Sequence, residues 1–244
     1  MKKIKIFTTA VLAGFVLIGL SSCKENARTM NKNYAVSAFN AIESEIVGNV
    51  VFTQSDDIKV SAEGSEILVK NLIVEVDGEK LKLSAGEQTL GKLFGFNKKR
   101  KLTVYVSAPN ISRIDLEGVS NLKLSGNVKS DSLFIDLDGV GNLKAEDLEC
   151  RDLSVESSGV GNISLKGRAE SLRIKSDDVG NIDAEEFLAN IVSVSSSGVG
   201  NVKFYASDSL SITASGVGNI TYFGNPAAKT IDNSGVGKVR NGDD

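Results

Sequence analysis

From Gly118 onward one five-residue motif returns at a nearly constant interval, and no other feature limits the fold of this 244-residue chain so tightly. The copies are Gly118-Val-Ser-Asn-Leu122, Gly139-Val-Gly-Asn-Leu143, Gly159-Val-Gly-Asn-Ile163, Asp178-Val-Gly-Asn-Ile182, Gly198-Val-Gly-Asn-Val202, Gly216-Val-Gly-Asn-Ile220 and Gly235-Val-Gly-Lys-Val239. They lie 21, 20, 19, 20, 18 and 19 residues apart. Four residues before each leading position stands a β-branched residue: Ile114, Ile135, Val155, Ile174, Val194, Ile212 and Ile231. Such residues suit strands rather than helices. Leu133, Leu153, Leu172, Val192 and Leu210 keep the same face apolar two residues further back, and the residues between are mostly polar. That alternation predicts short, half-buried strands joined by turns.

A unit of this length cannot bury its own apolar face, so successive units must stack, like residue on like residue, at ~4.8 Å per rung. The expected fold is therefore all-β: a single-stranded parallel β-helix, or β-solenoid, with rungs of ~20 residues and roughly 34 Å of regular stack. Its interior is expected to hold a column of isoleucines and a column of the motif valines, Val119 to Val236. A leucine-rich horseshoe lacks support in the leucine spacing, and a propeller needs about twice the period.

The glycine and asparagine positions are expected to be structural. Gly141, Gly161, Gly180, Gly200 and Gly218 suit a corner with positive φ or a close backbone approach. Asn142, Asn162, Asn181, Asn201 and Asn219 suit left-handed backbone, and stacked they would form an amide ladder. A phosphate-binding loop does not fit, because the third glycine of such loops is missing and no helix follows.

The chain begins like an export signal. Lys2, Lys3 and Lys5 precede a largely apolar run from Ile6 to Leu20, too short for a transmembrane helix. Leu20-Ser21-Ser22-Cys23 then matches a bacterial lipobox. Residues 1–22 are thus expected to be a lipoprotein signal peptide, Cys23 the lipidated residue and 23–33 a polar tether. The domain is placed at 34–240, with regular rungs at 111–240. A lipid anchor of two or more chains holds a protein stably to a membrane, so the expected location is the envelope, on the outer membrane, facing the periplasm or the surface.

Composition narrows the functions. Loss of Lys2, Lys3 and Lys5 would leave 25 of 28 basic residues against 31 acidic ones, moving the formal charge from −3 to −6. Nucleic acid as a partner is disfavoured, since it requires a basic footprint. The chain has no histidine and no tryptophan. Histidine-dependent triads and His-ligated metals are therefore excluded, and aromatic sugar platforms are scarce. With Cys23 acylated, Cys150 has no partner for an intrachain disulfide and is expected to be a small buried apolar residue.

Residues 34–110 are less regular but β-rich. Ile46-Val-Gly-Asn-Val50 repeats the motif, and Val76-Asp-Gly-Glu-Lys80 has a hairpin signature. Val36-Ser-Ala-Phe-Asn-Ala-Ile42, Val51-Phe-Thr-Gln54, Leu72 to Leu83, Val106-Ser-Ala-Pro-Asn110 and the Gly-Val-Gly-Asn rungs together resemble the head GIN domain proteins. That family is typical of Bacteroidota and is described as auto-transporter adhesins. The resemblance covers essentially the whole exported chain. It implies a right-handed parallel β-helix, an envelope location and no established enzymatic role. The insertion from Gly86 to Lys101 departs from the pattern. Phe94 and Phe96 beside Lys98, Lys99 and Arg100 make it a candidate contact loop for a protein partner or anionic lipid.

One arrangement offers chemistry. Asp115, Asp136 and Glu156 stand three residues before successive motifs and would stack roughly 5 Å apart on the outside. Paired carboxylates at that spacing serve retaining glycosidases. Lys175, Ser195 and Thr213 then break the column, as a solvated face would. No calcium-loop spacing occurs, and neither a cofactor nor a resident metal is expected. Two functions follow. The first is an adhesin-like binding or structural module for a protein or glycan, and the second a carbohydrate-active enzyme working through the acidic face.

Overall fold

Alternation of inward and outward side chains persists around most of each coil. The computed structural model describes residues 28–86 and 101–243. The chain forms β1 (Thr29–Tyr34), β2 (Ala41–Ser44), β3 (Val47–Gln54) and β4 (Lys59–Ser65), then helix α1 (Glu66–Asn71). β5 (Leu72–Asp77), β6 (Lys80–Ala85) and β7 (Leu102–Ala108) follow, then the long rungs β8 (Arg113–Val140), β9 (Leu143–Ser157), β10 (Ile163–Ser176), β11 (Ile182–Ser196) and β12 (Val202–Ala214). The last coil consists of β13 (Ile220–Phe223), β14 (Ala228–Asn233) and β15 (Val239–Asn241). The result is a β-solenoid of about six turns with rungs of ~20 residues.

Stacking is parallel from β3 through β8 to β12, and equivalent motif residues meet. Ile163 pairs with Leu143 and Ile182, and Ile174 with Val155 and Val194. The column from Ile114 to Ile212, the fifth motif position from Leu122 to Ile220 and the Leu133–Leu210 column are nearly solvent-free, whereas Ile231 of the last rung is 44 % exposed. Each such side chain contributes ~1.5–3 kcal/mol when it leaves water. Rung lengths differ by a residue or two, and small register shifts absorb the difference, as between Ser164 and Gly167.

The motif valines are not inside. Val119, Val140, Val160, Val179, Val199 and Val217 are 50–52 % exposed. The reason is parity. Ile174 and Ile182 both point inward and lie eight residues apart, so Asp178 and Gly180 also turn inward while Val179 and Asn181 turn outward. The expected valine core is replaced by an exposed valine ridge.

Close approach explains the glycines. A Cβ on Gly161 would lie 1.5 Å from the carbonyl oxygen of Gly141, and one on Gly180 would lie 1.6 Å from that of Gly161. The asparagines are not left-handed, since among the described residues only glycines have positive φ.

The two ends differ from the regular stack. At the first, β1 and β4 run antiparallel, as do β4 and β7, and β5 and β6 form an antiparallel hairpin turning at Gly78, φ +63°. Helix α1 buries Leu68 and Val69, and the Tyr34 hydroxyl donates to the Val69 carbonyl at 3.1 Å. The tether expected over 23–33 therefore gives way to strand at Thr29, because Met30 and Tyr34 pack on the core. At the other end Lys229 takes the place of Leu210 in its column and lies over the Tyr222 ring at 5.5 Å. Such inward polar substitutions mark terminal rungs.

Candidate functional site

The outward residues of each rung form columns along the solenoid. Four residues before each valine lies the acidic column. Asp115 pairs with Glu43 of β2, Asp136 with Glu156, and Glu156 with Lys175. The Arg113 guanidinium donates to Asp115 at 2.8 Å and stacks on the Phe134 ring, 4.4 Å from its centroid. Lys175 reaches Glu156 at 3.4 Å, and Lys80 holds Glu43 at 2.6 Å. Asp136 has no such cation against it. Burial first, then the Asp115 and Glu156 carboxylates, push its carboxyl above the usual aspartate range. A shallow groove runs over this column, lined by Asp136, Asp138, Glu156, Ser158, Lys175 and Asp177.

The structure thus brings the three candidate acidic residues together on one face, but in unequal states. Two are engaged by cations, and the middle one has its carboxyl pushed above its ordinary value. Chemically the groove offers hydrogen-bond acceptors, with one carboxyl that protonates more readily than an ordinary aspartate. Among the described residues, no group of three or more acidic or cysteine side chains is arranged to hold a metal ion.

Beside the groove stand the valine ridge and, two residues further on, the asparagine ladder. Asn121 Nδ2 donates to Asn49 Oδ1 at 3.0 Å, and Asn142 Nδ2 to Asn121 Oδ1 at 2.9 Å. The same contact recurs at Asn162, Asn181, Asn201 and Asn219. Each ladder oxygen from Asn121 to Asn201 also accepts the backbone N–H of the next rung, at 3.0–3.1 Å. The ladder ends on the Lys238 backbone N–H. One Nδ2 hydrogen per amide is left facing solvent.

Sequence reasoning missed the ridge because it treated a β-branched apolar residue as interior. Counting parity from the isoleucine column would have found it. The carboxylate of Asp178, which stands where other rungs have glycine, is buried rather than part of the outward acidic face. The hydroxyls of Ser157 and Ser176 donate to it at 2.6 and 2.7 Å.

Cys150 is half-buried rather than fully buried, and burial pushes its thiol up to about 12, so it stays protonated. Cys23 and the loop residues Phe94, Phe96, Lys98, Lys99 and Arg100 lie outside the described residues. No described helix is long and apolar enough to cross a membrane.

Comparison with known proteins identifies the fold's relatives. Residues 38–226 match the family described as putative auto-transporter adhesin, head GIN domain. Among solved structures, the chain is 32 % identical to a putative adhesin from Bacteroides fragilis, with a TM-score of 0.81, covering 88 % of this chain and 97 % of that one. A putative adhesin from Parabacteroides distasonis is 22 % identical, with a TM-score of 0.65 and coverage of 88 % and 98 %. A protein described as a putative lipid binding protein, from the same species, is 21 % identical, with a TM-score of 0.61 and coverage of 88 % and 97 %. No curated protein matches the chain.

Proposed function

We propose a binding function for this chain from one established premise: it belongs to the head GIN domain family of putative auto-transporter adhesins. In this reading the chain is a lipid-anchored module of the cell envelope, held through Cys23, that displays its solenoid to a protein or glycan ligand. The observation that carries it is the match to the Bacteroides fragilis adhesin-like protein, which extends over nearly the whole of both chains. Support for the anchor is the lysine-rich start, the apolar run and Leu20-Ser21-Ser22-Cys23.

The surface chemistry agrees with recognition rather than turnover. Asp115 and Glu156 are engaged by Arg113 and Lys175, so the acidic column lacks a pair of free carboxyls. The groove beside them is lined by polar and charged side chains.

The test is attachment. Cells producing the wild-type chain and cells lacking it are compared for adherence to glycan-coated and protein-coated surfaces. Adherence that depends on the chain, and that soluble purified chain competes away, is the expected result. Equal adherence on every surface, or release of new reducing ends from a glycan, contradicts the reading.

A further inference from the structure

We propose that a second copy of this chain packs on the valine ridge, parallel and in register, about a two-fold axis running along the solenoid. Eight outward valines form the ridge, from Val47, 38 % exposed, to Val236, 71 % exposed. Val47 pairs with Val119, and bridges join Val140, Val160, Val179, Val199, Val217 and Val236 in sequence. An unbroken apolar line of this length is more than the scattered exposure normal for a monomer. At ~4.8 Å per rung the ridge runs roughly 34 Å, and with its flanking columns it offers on the order of 600–800 Å² per copy, enough for a stable pair.

The flanks say which partner fits. A two-fold axis along the solenoid sets valine on valine. It also sets the residue two before each valine against the residue two after it in the other copy. Glu117 then faces Asn121, Asp138 faces Asn142 and Asp177 faces Asn181. Each is a carboxylate opposite an amide whose remaining N–H the ladder leaves free.

The next columns out, four residues before and four after each valine, carry opposite charges on the same rung. Asp115 faces Lys123, Asp136 faces Lys144 and Lys175 faces Asp183. The last rung repeats this with Asp232 and Arg240, and no rung sets like charges together. Lys123 and Lys144 also touch Glu146 of their own chain, at 3.1 and 2.9 Å, in exposed pairs that hold them only weakly.

Other arrangements lose this match. A one-rung offset sets Glu156 against Asp183 and Lys175 against Lys203 along one flank. An antiparallel pair sets Lys144 against Lys203 and Glu43 against Asp232. Like charges at such closeness oppose association, so the charge pattern fixes both direction and register.

The surface does not depend on the identity of any ligand, and its test reads association alone. In a Cys23→Ser, Cys150→Ala background, Val140→Cys, Val179→Cys and Val217→Cys are oxidised separately and resolved by mass. Each is expected to cross-link to its own copy. Sedimentation of the wild-type protein is expected to show a dimer at micromolar concentration. Asp136→Lys should weaken it at least ten-fold, and adding Lys144→Asp should restore it. Circular dichroism checks that every variant keeps its β-sheet signal. A monomer at all concentrations overturns the proposal. So do cross-links that form only when Val140→Cys and Val199→Cys proteins are mixed, or a dimer indifferent to both charge reversals.

Discussion

The side-chain oxygen of Asn162 accepts two hydrogen bonds from Asn181, one from its backbone N–H at 3.0 Å and one from its Nδ2 at 3.4 Å. One amide thus ties the next rung by both main chain and side chain. Asn162→Ala leaves both donors of Asn181 to water and removes the Nδ2 donor to Asn142 Oδ1, which keeps the backbone N–H of residue 162. A loss of ~1–2 kcal/mol in urea unfolding is expected. Asn219→Ala should cost less, because the Asn219 oxygen accepts only the Lys238 backbone N–H. Equal losses at the two positions would show that the ladder contributes nothing beyond local backbone preference.

The glycine column makes a sharper prediction. A Cβ at Gly161 would sit 1.5 Å from a backbone oxygen, and backbone cannot step aside. Gly161→Ala is expected to cost at least ~3 kcal/mol or to abolish folding. Gly126 has φ +77° and open space around its Cβ position, so Gly126→Ala should cost only the left-handed penalty of ~1–2 kcal/mol. Thermal melts of the two variants separate close packing from conformational preference.

Most of the architecture is legible in the sequence, and the exceptions have physical causes. The repeat interval, the isoleucine column at Ile114 to Ile212 and the fifth motif position announce stacked strands with a dry interior. The hairpin at Gly78 is also readable. Side-chain type misleads at the valines, because β-branched residues favour extended backbone on either face of a sheet. Strand β1 is hidden because TMNKNY has little alternation of its own and is held by pairing with β4. The acidic column is visible in sequence, but its unequal states are not, since Arg113 lies two residues from Asp115 and reads as an ordinary surface charge. Parity now sets the mutational expectation. In the monomer, at dilution, Val160→Asp should cost under ~1 kcal/mol in unfolding measurements, whereas Ile163→Asp, which buries an unpaired charge, should cost several.

Asp136 predicts a pH dependence whose sign follows from its raised pKa. The folded state holds this proton more tightly than the unfolded chain does, because of burial and the Asp115, Glu156 and Asp138 carboxylates, with Arg113 opposing them. Above the folded pKa the ionised group is a constant cost to stability. As pH falls from there toward the ordinary aspartate value, the cost disappears and this group's contribution improves. In the monomer, at dilution, Asp136→Asn should therefore be more stable than wild type at neutral pH, by no more than ~1 kcal/mol given solvent screening. The advantage should vanish near the normal aspartate pKa. Chemical denaturation at a series of pH values from neutral to acidic measures it, and a wild type that is more stable than the variant at neutral pH contradicts it.

In the proposed function this solenoid is displayed at the cell surface through an anchor on Cys23. The direct measurement is protease treatment of intact cells producing the wild-type chain or Cys23→Ala, with an antibody against the solenoid and a periplasmic protein as a control for intactness. The wild-type chain is expected to fractionate with membranes and to be lost on protease treatment while the control survives. Cys23→Ala is expected to leave the membrane fraction. A wild-type chain that stays protected in intact cells, or a Cys23→Ala variant that remains membrane-bound and equally accessible, would contradict the proposed function.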